Sequence, residues 1–261
     1  MSGRASKLRG LLWLLAAAAL ATGGAVAFPR LVRHVPWSAE RALGSIASMP
    51  VSKCREGGAA AADDLSRLVA RVFPVLHGDE ELPITVEVVH GKEVNAYATL
   101  GGHIYVLEGL LRQAQSPEEL AGVLAHEIEH VRNRHILQAV AVDVVADEAI
   151  RAVLPSDSPI DPRIAHLFLN LQFSRRQEAE ADALGLARMR AAGVDAAGLA
   201  QFFARVGRLS QVPPILSNHP SPDSRSDLVA AARGYPVRPV LAPDAWHRLA
   251  AMCGPGASAP I

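Results

Sequence analysis

His126-Glu127-Ile128-Glu129-His130 is the stretch of this chain whose residue types and spacing most directly imply chemistry. Two imidazoles four residues apart point from one face of a helix, an arrangement that suits a zinc ion. Glu127, beside the first histidine, then stands next to the metal. There it takes a proton from a metal-bound water as that water attacks a carbonyl. Three fixed positions recur by chance in roughly one chain in a hundred of this length, so the flanking elements have to decide.

Those flanks read as a rigid helix. In Ser116-Pro117-Glu118-Glu119 the serine caps, the proline sits where no amide hydrogen is needed, and Glu119 closes a capping box. Leu120, Val123, Leu124, Glu127 and Val131 follow at spacings of three and four, so the motif sits mid-helix above a buried face. A catalytic zinc needs a third protein ligand and one open position. His135 fails that role, because at about 100° per residue it is rotated about 180° from His126 on a continuous helix. The extended motif that adds glycine and histidine downstream fails as well, since Asn133 and Ile136 occupy those positions.

The ligand is expected instead from Glu178-Ala179-Glu180-Ala181-Asp182. Asp161-Pro162 opens a second helix, whose pattern runs through Leu167, Leu171, Phe173, Leu184 and Met189 and stops at Gly193. Glu178 and Glu180 are about 200° apart around that helix, so only one of them can face a metal. Spacing leaves the choice between them open. An aspartate one turn after Glu178 can hold a ligating imidazole in its working tautomer.

Elsewhere, residues 62–73 read as a helix and residues 82–89 as a strand. Tyr97 and Thr99, then Gly101-Gly102, then Ile104, Tyr105 and Val106 have the composition of a β-hairpin. Residues 35–44 read as a connector and short helix. Residues 137–154 form an apolar helical run interrupted by charges, 156–161 a loop able to cover the cleft, and 196–209 and 223–234 amphipathic helices. Half the residues are hydrophobic and the formal net charge is zero, enough for a sizeable core and against nucleic-acid binding. Cys54 and Cys253 are the only cysteines; they form one disulfide or remain two thiols. Arg4, Lys7 and Arg9 precede an apolar run over 11–28, and Ala25-Val26-Ala27 offers a cleavage site. That run is either a cleaved export signal or an uncleaved membrane anchor, and both send the remainder across the membrane. A mitochondrial transit sequence is the alternative.

Leu124 to Val131 with Arg134-His135, followed by Phe173-Ser174-Arg175-Arg176-Gln177-Glu178-Ala179-Glu180-Ala181-Asp182, resembles the M48 peptidase family, and most of all its Oma1-like and BepA-like envelope branch. Val94-Asn95-Ala96-Tyr97-Ala98 with Gly101 to Leu107 and Gly109-Leu110-Leu111 is similar to a further block of that family. So is Asn218-His219-Pro220 with Arg225. The resemblance spans roughly residues 84 to 230. It implies a mainly α (α+β) zincin-like fold built on an HExxH helix, an ExxxD helix and a small sheet with a β-hairpin and edge strand. It implies one Zn2+ per chain held by His126, His130 and Glu178, with Glu127 as general base and Asp182 behind the ligands. His219, with Arg225 nearby, is implied to stabilise the oxyanion or to close the open zinc position. Gly102, His103, Ile104 and Tyr105 are implied to form an edge strand that pairs with substrate. The activity implied is a metalloendopeptidase acting on protein substrates in the bacterial envelope. Its segments would be 1–28 as signal or anchor, 29–61 as linker and short helix, 62–240 as the peptidase domain, and 241–261 as a C-terminal helix and flexible tail. Glu129 departs from the pattern, which favours a small or neutral residue there, and is expected to alter the charge of the cleft.

Overall fold

The computed structural model describes residues 31–46, 51–73, 82, 84–141, 173–209, 211, 213–219 and 234–254. In chain order the elements are α1 (Trp37–Ile46), α2 (Gly58–Val72), β1 (Thr85–Val89), β2 (Ala96–Ala98), β3 (His103–Leu107), α3 (Glu108–Gln113), α4 (Pro117–Arg132), α5 (Arg175–Ala192), α6 (Ala197–Val206), α7 (Pro214–Asn218) and α8 (Pro243–Ala250). The architecture is mainly helical, with one three-stranded sheet in the order β1-β3-β2. No described helix is long and apolar enough to cross a membrane. The expected leader, the loop over 156–161, the helix over 223–234 and Arg225 lie outside the described residues, as does most of 137–154.

The hairpin forms where turn chemistry places it. Gly101 and Gly102 have φ of 81° and 83°, a region other residues enter at a cost, and β2 pairs antiparallel with β3. β1 pairs with β3 on its other side, in parallel. β3 is therefore the central strand, and the expectation that His103, Ile104 and Tyr105 form an edge is corrected. Both sides of that strand are already hydrogen-bonded, and the Gly102 carbonyl accepts from the Thr85 amide. The outer strand on the side of α4 is β2.

α4 starts as its sequence predicts. Ser116 Oγ accepts from the Glu119 amide, and Pro117 occupies the first turn. Glu119 reaches back one residue further than a capping box requires, accepting from the Gln115 amide at 2.8 Å. Its Oε1 also takes a bond from Arg205 of α6. Burial exceeds the single face that the apolar spacing implies: every residue from Glu119 to Val131 is buried. The reason is tertiary, since α2, α5, α6 and β2 all pack against α4. Leu120, Leu124 and Ile128 are fully buried on it, worth about 1.5–3 kcal/mol each.

α5 starts at Arg175; the expected opening at Asp161-Pro162, with Leu167 and Leu171, lies outside the described residues. Ser174 caps it, accepting from the Gln177 amide at 3.3 Å, while Gln177 Oε1 accepts from the Ser174 amide at 3.0 Å. This reciprocal box starts a helix at Arg175, so no single helix runs through Phe173. Leu184, counted among the apolar positions, is 40% exposed. The end at Gly193 is as expected: it takes a left-handed conformation and its amide bonds back to Arg190.

Two clamps fasten the outlying segments among the described residues onto this core. Cys54 and Cys253 form a disulfide across a separation of 199 residues, and Arg248 of α8 pairs with the buried Asp64 of α2 at 2.9 Å. At the other end, α1 sits on the hairpin turn and on the exit of α4. The Glu40 carboxylate accepts from the Gly101 amide and forms an ion pair with Arg134. Arg134 also donates to the Val35 carbonyl at 2.8 Å and lies 3.2 Å from the centre of the Trp37 ring.

Replacing Arg134 with methionine leaves the buried Glu40 charge without its cation. The expected cost is about 3–5 kcal/mol, read from urea denaturation at neutral pH. A loss below about 1 kcal/mol would show that the pair behaves like an exposed one and that α1 is not clamped there.

Candidate metal centre

Four donor groups meet between α4 and α5. α4 presents His126 and His130 from one face, one helical turn apart, with Glu127 next to His126. α5 crosses close enough to add Glu178 and Asp182, because Gly185 has no side chain: a Cβ there would lie 3.2 Å from the His126 amide nitrogen. His219 enters from the end of α7. Pro220 and Arg225, the remainder of that sequence block, are outside the described residues.

The distances describe a convergent cluster. His126 Nε2 lies 2.9 Å from His130 Nε2 and 3.2 Å from His219 Nδ1. Glu178 Oε1 lies 3.1 Å from His219 Nδ1 and 3.5 Å from His130 Nε2, while its Oε2 is 3.5 Å from His126 Nε2. One donor atom from each of the four residues falls within 4.8 Å of all the others, and all four residues are buried. Three imidazole nitrogens and one carboxylate oxygen form a donor set that zinc favours, and the cluster is compatible with a single Zn2+.

Partners behind the cluster set the tautomers. His126 Nδ1 lies 2.9 Å from Asp182 Oδ1. The ring thus donates there and turns an unprotonated Nε2 inward, as metal-binding histidines do. His130 Nδ1 is 3.1 Å from His135 Nδ1, and the His130 ring stacks on Phe173 with centroids 4.0 Å apart. Burial pushes the pKa of His135 down to about 4, against the pull of Glu180. A neutral His135 accepts from His130 and turns its own Nε2 toward Glu180 Oε2, 3.6 Å away. Of the two glutamates that spacing left open, Glu178 stands in the cluster and Glu180 behind it.

Glu127 differs from its neighbours. Both carboxylate oxygens are buried without a hydrogen-bond partner among the described residues, a costly condition unless a donor such as water arrives. Its nearest ion-pair contact is His219 Nε2 at 3.5 Å. Burial raises its pKa above the ordinary carboxylate range, with His219 and His126 opposing. A fully buried carboxylate of this kind, beside a nitrogen-rich cluster, is suited to accepting a proton.

His135, Phe173 and Glu180 were not legible as parts of this site. The rotation that excludes His135 from the ligand set assumes a helix continuing past Arg132, but α4 ends there. Asn133 caps it and Arg134 has φ of 59°, so His135 turns back toward His130. Glu129 does not charge the cleft as expected: its Oε1 accepts from Arg188 Nε of α5 at 2.6 Å, which neutralises it in the core. His103, Ile104 and Tyr105 belong to the central strand of the sheet, and Gly102 to the turn before it.

The arrangement is zincin-like: a helix with the histidine pair, a second helix with the glutamate, and a small sheet alongside. The sequence pattern of Peptidase family M48 matches residues 59–232. A Vibrio cholerae protein provisionally named as a beta-barrel assembly-enhancing protease is 33% identical over 190 residues, covering 66% of this chain and 39% of that protein. Mitochondrial metalloendopeptidase OMA1 of Arabidopsis thaliana is 33% identical over 153 residues, covering 56% of this chain and 31% of its own length. Metalloprotease LoiP of Escherichia coli is 30% identical over 154 residues, covering 55% and 60%. The matched region is thus about a third of the first two proteins.

If Asp182 and His135 orient ligating imidazoles, Asp182→Asn and His135→Ala each weaken zinc binding by about 10–100-fold. Competition with a chromogenic chelator measures this. Unchanged affinity in both variants would remove these residues from the support of the cluster.

Proposed function

The chain belongs to peptidase family M48, and on that premise we propose that it is a zinc-dependent metalloendopeptidase of the Oma1-like and BepA-like branch. The observation that carries this reading is the buried convergence of His126, His130 and Glu178 beside a Glu127 carboxylate that has no hydrogen-bond partner among the described residues. Bound there, zinc would polarise the scissile carbonyl and lower the pKa of a coordinated water toward neutrality.

The protein's own groups supply the remaining steps. Glu127 accepts the proton of the attacking water and passes it to the leaving amine. Asp182 and His135 hold His126 and His130 with their Nε2 lone pairs inward. Extended substrate pairs along β2 rather than β3, since β2 is the outer strand and packs on α4. His219 stands where a fourth donor closes the cluster, 3.1 Å from Glu178 and 3.2 Å from His126. In this position it holds the enzyme latent, and on withdrawal it is placed to hydrogen-bond the oxyanion.

The expected leader and the names of the relatives, one concerned with β-barrel assembly and one mitochondrial, support a workplace in the bacterial envelope, with the mitochondrion as the alternative. Misfolded or membrane-associated proteins are the proposed substrates. The closed position of His219 favours one second reading, a zinc-stabilised assembly factor with little proteolysis.

Zinc content and cleavage of unfolded casein, compared for wild type and Glu127→Gln, test the proposal. One zinc per chain is expected in both, with cleavage lost by at least about 100-fold in the variant. His219→Ala is expected to keep zinc and raise basal cleavage. Zinc without cleavage in wild type and in His219→Ala would favour the assembly factor, and cleavage retained by zinc-loaded Glu127→Gln would sink the mechanism.

A further inference from the structure

A second group of metal-ligating side chains lies at the other end of the sheet. Cys54, His90, Glu108 and Cys253 each offer one ligand atom, and these four atoms lie within 4.8 Å of one another. They come from distant parts of the chain and are held by backbone. Cys54 lies on a short segment bonded to β1, where its amide donates to the Val88 carbonyl and the His90 amide donates to the Ser52 carbonyl. His90 follows β1, Glu108 opens α3 directly after β3, and Cys253 follows α8. The C-terminal segment of this arrangement is fastened further by Gly57, which donates to the Met252 carbonyl at 2.9 Å, and by Arg112, which donates to the Gly254 carbonyl at 2.9 Å.

The side chains are disposed as ligands with support behind them. His90 Nδ1 points into the group, 3.7 Å from Cys54 Sγ and 3.1 Å from Glu108 Oε2. Its Nε2 faces Glu56 Oε1 at 3.2 Å, the carboxylate–imidazole pairing that orients metal-binding histidines. Glu108 divides its oxygens, giving Oε1 to Arg112 Nε at 2.8 Å and leaving Oε2 for the group. Both cysteines are buried, whereas His90 and Glu108 border solvent, so an ion can enter from that side. Two sulfurs, one imidazole and one carboxylate make a four-coordinate set of the kind zinc accepts.

We propose that Cys54, Cys253, His90 and Glu108 form a second zinc site, open only when the Cys54–Cys253 disulfide is reduced. A dithiol reductant delivers two electrons and two protons, the sulfur–sulfur bond breaks, and the reductant leaves as its own disulfide. Zinc then displaces the two thiol protons and binds both thiolates with His90 Nδ1 and Glu108 Oε2. Oxidised, the covalent bond ties the C-terminal segment to the sheet; reduced, the ion does so. The site is independent of the His126 cluster, which contains no sulfur.

Cobalt(II) titration of the full chain distinguishes the two sites, because only thiolate ligands give an intense near-ultraviolet sulfur-to-cobalt band. The chain reduced with a phosphine is expected to develop this band with one further equivalent of cobalt, and the oxidised chain is expected to lack it. His90→Ala combined with Glu108→Gln keeps both cysteines, so this variant folds with its disulfide before reduction. Its band is expected to need at least about tenfold more cobalt. No sulfur band in the reduced, still-helical wild type would overturn the proposal, as would an unchanged titration in the double variant. Loss of metal from the His126 cluster alone leaves the band intact, so failure of the peptidase reading registers separately.

Discussion

The constraint that organises this molecule is that a charged helix runs through its interior. Glu119, His126, Glu127, Glu129 and His130 are all buried on α4, and each must be compensated or remain costly. Arg205 of α6 answers Glu119, and Arg188 of α5 answers Glu129. Asp182 and Glu178 of α5 answer His126, and His135 answers His130. The position of α5 and α6 is thus dictated by charge as well as by apolar area. Glu127 is the exception, its two oxygens having no hydrogen bond among the described residues. The group with the least compensation is the one proposed to gain and lose a proton.

This distribution explains why α5 is exact in its placement. Its apolar content is low, with three buried hydrophobic residues, Ala181, Leu186 and Met189, on an 18-residue helix. What fastens it is polar: the Ser174–Gln177 box at one end, Gly193 at the other, and Glu178, Asp182 and Arg188 between them, all engaged with α4. Gly185 permits the close approach that these contacts need. A helix held in this way transmits small displacements directly to the donor atoms of Glu178, which is a reason for a cap at each end.

Much of this was legible in residue types. Serine and proline at 116 and 117, paired glycines at 101 and 102, and glycine at 193 each act locally, and their elements formed where they indicated. The donor residues were legible from spacing on α4, and from resemblance on α5, where spacing could not separate Glu178 from Glu180. What failed was anything decided by a neighbour in space. The centrality of β3 depends on β1, which a hairpin pattern does not mention. The break before α5 depends on the Ser174–Gln177 box interrupting the apolar periodicity at Phe173. Glu129 looked like a cleft charge because Arg188 is far away in sequence.

Arg134 shows how such a long-range decision reaches the centre. A non-glycine residue with φ of 59° is strained by about 1–2 kcal/mol, and sequence alone offers no reason to place one after a helix. The ion pair with Glu40, the bond to the Val35 carbonyl and the Trp37 ring supply that reason, all from α1 and the residues before it. Because the backbone turns there, His135 folds back onto His130 instead of continuing around the helix, and Glu180 is drawn in behind it. The orientation of one candidate zinc ligand therefore depends, through a single left-handed residue, on a helix near the beginning of the described chain.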